Sequence, residues 1–142
     1  MDIQTIFDNA LMAARKESLA NSPQLTLGEL ILKLDALGDK SKEVSFAFES
    51  ARPTGFDSWR GSYCELAIGF DFESKRQTVE EFLSKCREVV GKTYQGYKGG
   101  NYTMSRQTPV WVANYGKSGS TGVIDVLETS YQVILVTGYC EY

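Results

Sequence analysis

Two four-residue motifs constrain this chain more than any bulk property. Thr26-Leu27-Gly28-Glu29 and Thr78-Val79-Glu80-Glu81 are both capping boxes. In each, a threonine hydroxyl can accept from an orphan amide of the first helical turn, while the glutamate three residues on reaches back to the threonine amide. Each box therefore marks a helix start. After the first, Leu27, Leu30, Ile31, Leu34 and Leu37 recur on one face, and Gly38 stands where a helix end takes a residue tolerant of positive φ. After the second, Val79, Phe82, Leu83, Cys86, Val89 and Val90 make the apolar stripe and Gly91 ends it.

Between the boxes the period changes from helical to two. Residues 43–49 alternate, with Val44, Phe46 and Phe48 on one side, and Ser45 and Ala47 on the other. Residues 63–70 do the same, with Cys64, Leu66, Ile68 and Phe70 on one side. Both read as half-buried strands, and with no helix between them antiparallel pairing is expected. The Pro-, Gly- and Ser-containing stretch 50–62 reads as a loop, and so does 92–107. Residues 108–115, 121–127 and 131–139 read as a three-strand meander, with Pro109 at a strand start, where a missing amide is tolerated. Ahead of all this, Ile3, Ile6, Phe7, Ala10, Leu11 and Ala14 give residues 2–20 an amphipathic helical stripe, broken at Asn21-Ser22-Pro23. The expected fold is α+β in the order ααββαβββ: one antiparallel sheet of about five strands and three helices in two layers. One domain spans residues 1–142, with the helix of residues 1–22 peripheral to it.

Composition removes several function classes. The 142 residues contain no histidine, which takes away the commonest general base and metal ligand. Cys64, Cys86 and Cys140 form no CxxC pair, so no metal site and no cofactor is expected. The odd cysteine count without a leader pattern fits a reducing cytoplasm. A net charge of −3 is far from the basic footprint of a binder of nucleic-acid polymers. No apolar run approaches the length of a membrane span, so no membrane partner is expected.

Two stretches carry chemistry that a core does not need. Residues 94–106 interleave Tyr97 and Tyr102 with Lys98, Gly99, Gly100, Asn101 and Arg106. Close-packed backbone amides and a cation suit a phosphate, although the spacing is neither a Walker motif nor a dinucleotide fingerprint. Turn-permitting glycines alone explain the same stretch equally well. Residues 52–60 bring Arg52, Trp59 and Arg60 together, residue types that dominate binding hot spots and clamp phosphates. The alternative is that Trp59 covers a sheet edge and Asp57 pairs with Arg60. Glu65 and Asp125 are the candidate acid–base carboxylates, against the plainer reading of a solvated sheet face. Trp111, Ala113 and Tyr115 share one side of their strand, which must face a helix or a partner.

The segments LGELI (27–31), SWRGSYCELAIGF (58–70), GYKGGNYTM (96–104) and TPVWVANYG (108–116) resemble a family of small proteins carried by tailed bacteriophages and prophages. No activity is attached to that family. The resemblance implies an accessory protein of the host cytoplasm, of the kind that counters host defence. The leading expectation is a non-catalytic binding protein without catalytic residues. Arg52, Arg60, Lys98 and Arg106 would take the phosphates of a nucleotide-like ligand, and Trp59, Tyr97 and Tyr102 would stack. A homo-oligomer would help close such a site. Open beside it stand an anti-CRISPR-like inhibitor of a host defence protein and, last, a hydrolase working through Glu65 or Asp125.

Overall fold

The structure, a computed structural model, describes residues 24–48, 51–57, 66–95, 101–113 and 121–140. Along them run α1 (Leu27–Asp35), β1 (Glu43–Phe46), β2 (Arg52–Asp57), β3 (Leu66–Asp71), α2 (Val79–Val89), β4 (Thr93–Gln95), β5 (Asn101–Thr103), β6 (Val110–Val112), β7 (Thr121–Glu128) and β8 (Gln132–Tyr139). The expected helix of residues 1–22 lies outside the described residues.

Both capping boxes close in both directions. Thr26 Oγ1 accepts from the Glu29 amide at 3.2 Å and Glu29 Oε1 accepts from the Thr26 amide at 3.0 Å. Thr78 and Glu81 repeat the pair at 3.2 and 3.0 Å. Of the two glycines placed at helix ends, Gly91 takes φ +84°. Gly38 does not, because α1 has already closed at Ala36, whose amide donates to Leu32 O at 3.1 Å.

The fold is α+β, but its sheet is mixed. Six strands run in the order β1-β8-β7-β6-β3-β2, and β4 and β5 form a separate two-stranded ribbon. The meander β6–β7–β8 is antiparallel as expected. The antiparallel pairing expected between residues 43–49 and 63–70 is not made. β1 instead lies parallel to β8, and β3 parallel to β6 while antiparallel to β2. The stretch read as a loop at 52–57 is that missing partner. Its Pro53 and Gly55 obscured the strand pattern, and a register shift between Pro53 and Phe56 accommodates them.

The two outer strands of the six are brought together. The Phe46 amide donates to Ala51 O and the Val44 amide to Gln77 O, both at 2.8 Å, so β1's outward edge is satisfied without another strand. Phenylalanines fill this closure. Phe46 and Phe48 stack with centroids 5.0 Å apart, and Phe70 meets both edge-on.

The opposite seam is opened by the chain's own entry. Leu25 sits between β6 and β7: its amide donates to Val123 O at 2.8 Å and its carbonyl accepts from the Val110 amide at 3.1 Å. The direct β6–β7 register narrows to Trp111 opposite Gly122. The next amides, Leu27 and Gly28, donate to Thr108 O and Arg106 O at 2.8 Å.

One face of the sheet carries the main core. Leu30 and Leu34 of α1 and Phe82 and Leu83 of α2 bury there against Phe46, Leu66, Ile68 and Leu135. Each large apolar side chain buried this way contributes roughly 1.5–3 kcal/mol. The other face carries a second cluster, with Ala67, Trp111, Ile124, Ile134 and Val136 at its centre. Ser45, expected on an open face, is buried and donates to Gln132 Oε1 at 2.8 Å.

Gly28 shows how tightly α1 is seated. A Cβ there would stand 2.9 Å from Arg106 Cβ and 3.0 Å from the Arg106 carbonyl oxygen, too close to a backbone atom to be relieved by a rotamer. In an exposed helix Gly→Ala gains about 1 kcal/mol. Here Gly28→Ala is expected to reverse that sign and lower the thermal midpoint; an unchanged or raised midpoint in a melting experiment would show the contact to be loose.

Candidate ligand site

The described candidate residues fall on two structures. The first is the seam where β2 meets the connection from β3 to α2. Asp71 ends β3 and winds the connection into a turn: its Oδ1 accepts from the Ser74 amide at 3.0 Å, the Ser74 hydroxyl at 2.6 Å and the Glu73 amide at 3.3 Å. The turn presents Ser74 O to Arg52, whose Nη1 donates to it at 2.6 Å. Arg52 is also the register partner of Asp71 across β2–β3. Farther along, Gln77 Nε2 donates to Pro53 O at 2.7 Å and Thr54 O at 3.0 Å, and Lys85 Nζ reaches Thr54 O at 2.9 Å. These bonds collect the carbonyls that the irregular β2 register leaves unpaired.

The seam keeps two donors and one acceptor unpartnered. Arg52 and Arg76 each keep a buried Nε, and Gln77 a buried Oε1, with no hydrogen-bond partner. Arg76 and Gln77 were missed in the sequence because 71–76 reads as a plain polar connection. The signal was there as a Lys75-Arg76-Gln77 run just ahead of a capping box.

The second structure is the β4–β5 ribbon. Thr93 stands opposite Thr103, Tyr94 opposite Tyr102 and Gln95 opposite Asn101, so the glycine-bearing residues 96–100 connect the two strands of a hairpin. Gly91 turns the chain out of α2, with its amide on Met104 O at 2.7 Å, and the Met104 amide returns to Lys92 O at 2.9 Å. Lys92 Nζ lies 5.1 Å from the Tyr94 ring centroid, within cation–π range. Asn101 is exposed at the start of β5.

Arg106 is exposed in the turn against α1, where its carbonyl accepts from the Gly28 amide. Among the described residues no hydrogen bond or ion pair joins Arg52, Asn101 and Arg106 to one another. Trp59, Arg60, Tyr97, Lys98, Gly99 and Gly100 lie outside the described residues, as do the Tyr102 side chain and Glu65.

The remaining chemistry-bearing groups are structural. Asp125 is not on a solvated face: it is 2% exposed, accepts from the Val126 amide at 2.7 Å and pairs with Lys33 of α1 at 3.1 Å. A register shift between Val123 and Asp125 turns it toward that helix. Cys86 is fully buried, which pushes its thiol up to about 12 and leaves it inert. Cys140, just past the end of β8, is buried as well. Among the described residues no group of three or more His, Cys, Asp or Glu side chains could hold a metal. No helix among them is long and apolar enough to cross a membrane.

Comparison of the chain with family models, with curated proteins and with solved structures finds no match.

The Asp71 turn gives a direct check of the seam. The Ser74 hydroxyl and amide, then the Glu73 amide and the Arg52 charge, hold the Asp71 carboxyl below its ordinary 3.8. A depressed folded value means the turn's contribution is complete above the unfolded value and is lost as pH falls through the folded one. A carboxyl-carbon NMR titration should therefore give Asp71 a midpoint below 3.8. A midpoint at or above it would mean that the turn, and with it the seating of Arg52, does not persist in solution.

Proposed function

We propose that this chain is a non-catalytic binding protein for a phosphate-bearing, nucleotide-like ligand, held by cations at the β2 seam and by the 94–106 ribbon. The carrying observation is the pair of guanidinium Nε donors of Arg52 and Arg76, both lacking a hydrogen-bond partner beside one turn. A guanidinium offers a rigid fork that matches phosphate oxygens, and an unused charged donor gains most from an anionic acceptor. Lys75 and Lys85 add positive charge along the same connection and helix. Trp59, Arg60, Tyr97, Lys98 and Tyr102 complete the proposed site by their chemistry, as stacking faces and further cations.

The phage-type resemblance supplies the proposed setting: an accessory protein in a host cytoplasm that sequesters a nucleotide signal and so blunts a defence response. A second reading, inhibition of a defence protein by direct contact, is favoured by the apolar side chains left in solvent. Leu32 is 66% and Tyr139 76% exposed, and Phe72 stands half-exposed beside the seam.

Native mass spectrometry of the protein purified from producing cells, before and after denaturation, tests the choice. An additional small mass that leaves intact on unfolding is expected. Arg52→Ala and Arg76→Ala should each cut its retention by about 10- to 100-fold, the effect of losing one charge-assisted hydrogen bond of roughly 1.5–3 kcal/mol. If Arg52→Ala disturbs the fold, Arg52→Lys keeps the charge without the fork and should still lose ligand. An apo mass throughout, with no uptake of added ATP, would overturn the reading in favour of the protein inhibitor.

A further inference from the structure

The seam at β2 holds an acceptor as well as donors. Gln77 Nε2 donates to Pro53 O at 2.7 Å and to Thr54 O at 3.0 Å. Both bonds need the N–H limb of the amide, so the side chain cannot be flipped, and Oε1 is the limb turned away from those carbonyls. The backbone of the residue is fixed too. Gln77 O accepts from the Val44 amide at 2.8 Å, and the next residue, Thr78, caps α2. In this held position Gln77 Oε1 is buried with no hydrogen-bond partner.

The Nε atoms of Arg52 and Arg76 are left in the same state. Arg76 directly precedes Gln77, and Arg52 directly precedes Pro53, whose carbonyl Gln77 binds. Arg52 Nη1 donates at 2.6 Å to Ser74 O, in the turn that leads to Arg76. One short stretch of the seam thus keeps two charged donors and one neutral acceptor unsatisfied. A buried polar atom is costly to leave unpaired, which favours opening the seam to a ligand that supplies all the missing partners.

A bare phosphate supplies only some of them. Its oxygens accept from the guanidinium groups, and the neighbouring positive charge keeps those oxygens ionised. An ionised oxygen has no hydrogen to give to Gln77 Oε1. The ligand must therefore carry an O–H or N–H donor close to its phosphate. In a nucleotide the ribose hydroxyls stand nearest the phosphate, and the donors of the base lie beyond the sugar. We infer, resting on the phosphate-binding reading above, that the seam selects a ribonucleotide: Gln77 Oε1 accepts from a ribose hydroxyl while Arg52 and Arg76 hold the phosphate. Gln77 is then the specificity-determining residue, because an acceptor left unpaired rejects the analogue that lacks the donor.

Calorimetric titration of the full chain with ATP, with dideoxy-ATP, which lacks both ribose hydroxyls, and with tripolyphosphate tests this. Dideoxy-ATP is expected to bind roughly 10- to 100-fold more weakly than ATP. Gln77→Lys keeps a donor for the β2 carbonyls and removes the acceptor. Its added charge tightens both nucleotides alike, so the ratio of their affinities is the readout, and it should fall to about one. Equal binding of ATP and dideoxy-ATP by the native chain, or an unchanged ratio in Gln77→Lys, would overturn the inference and leave a phosphate site standing. Binding of neither nucleotide nor tripolyphosphate would remove the phosphate reading itself, and the inference with it. If Gln77→Lys does not fold, the comparison in the native chain decides.

Discussion

The backbone of Leu25 is the wedge on which the rest of the structure leans. A single residue takes the Val123 carbonyl on one side and the Val110 amide on the other, where a continuous β6–β7 ladder would otherwise run. Thr26 caps α1 immediately afterwards, so the helix is launched from inside the sheet and cannot slide along it. Gly28 then lets the first turn press on the 105–108 turn, which sets where β6 begins. Through Met104 the same turn is tied to Gly91 and Lys92, and hence to the end of α2 and the ribbon. Helix, turn and ribbon are thus positioned by one insertion.

At the other seam the sheet is closed by substitution. β1 has no strand on its outward side, and Ala51 and Gln77 provide the acceptors instead. That arrangement leaves irregular backbone in β2, and irregular backbone needs side-chain donors. Gln77 and Lys85 supply them from α2's flank, and Arg52 caps the neighbouring turn. The cations of the proposed site are therefore there first for a structural reason. The proposal that they bind a ligand rests on the donors left over once those bonds are made, the buried Nε atoms of Arg52 and Arg76.

What was legible in the sequence was local. Capping boxes are written within four residues, and both α1 and α2 start where the boxes place them. Hairpin-connected strands are also local, and β7 and β8 form where the sequence reads strands at 121–127 and 131–139. The parallel pairings of β1 with β8 and β3 with β6 join residues far apart in the chain, and nothing in either strand's own pattern records its partner. β2 was hidden by Pro53 and Gly55, residues that mean a loop unless other side chains take up the orphaned carbonyls, as Gln77 and Lys85 do. Asp125 misled for a similar reason: strict alternation puts it on the open face, and the register shift after Val123 turns it to Lys33. Of the candidate site, Arg52 was legible as a cation in a cation-rich stretch, whereas Arg76 lies in a stretch that reads as a plain polar connection.

Two-sided burial narrows where recognition can occur. The aromatic residue that looked most available, Trp111, is committed to the second cluster at 3% exposure and is withdrawn from stacking on any ligand. The central strands β6, β7 and β8 present apolar cores to both sides, so their faces are spent on folding. Polar contacts are left to the periphery: the β2 seam with its guanidinium donors, the exposed start of β5 and the turn at Arg106. A ligand gathered at such a rim is met by edges and loops rather than enclosed. Small charged headgroups suit that geometry better than large apolar bodies, because a charge-assisted hydrogen bond to a guanidinium needs one anionic oxygen and no apolar area.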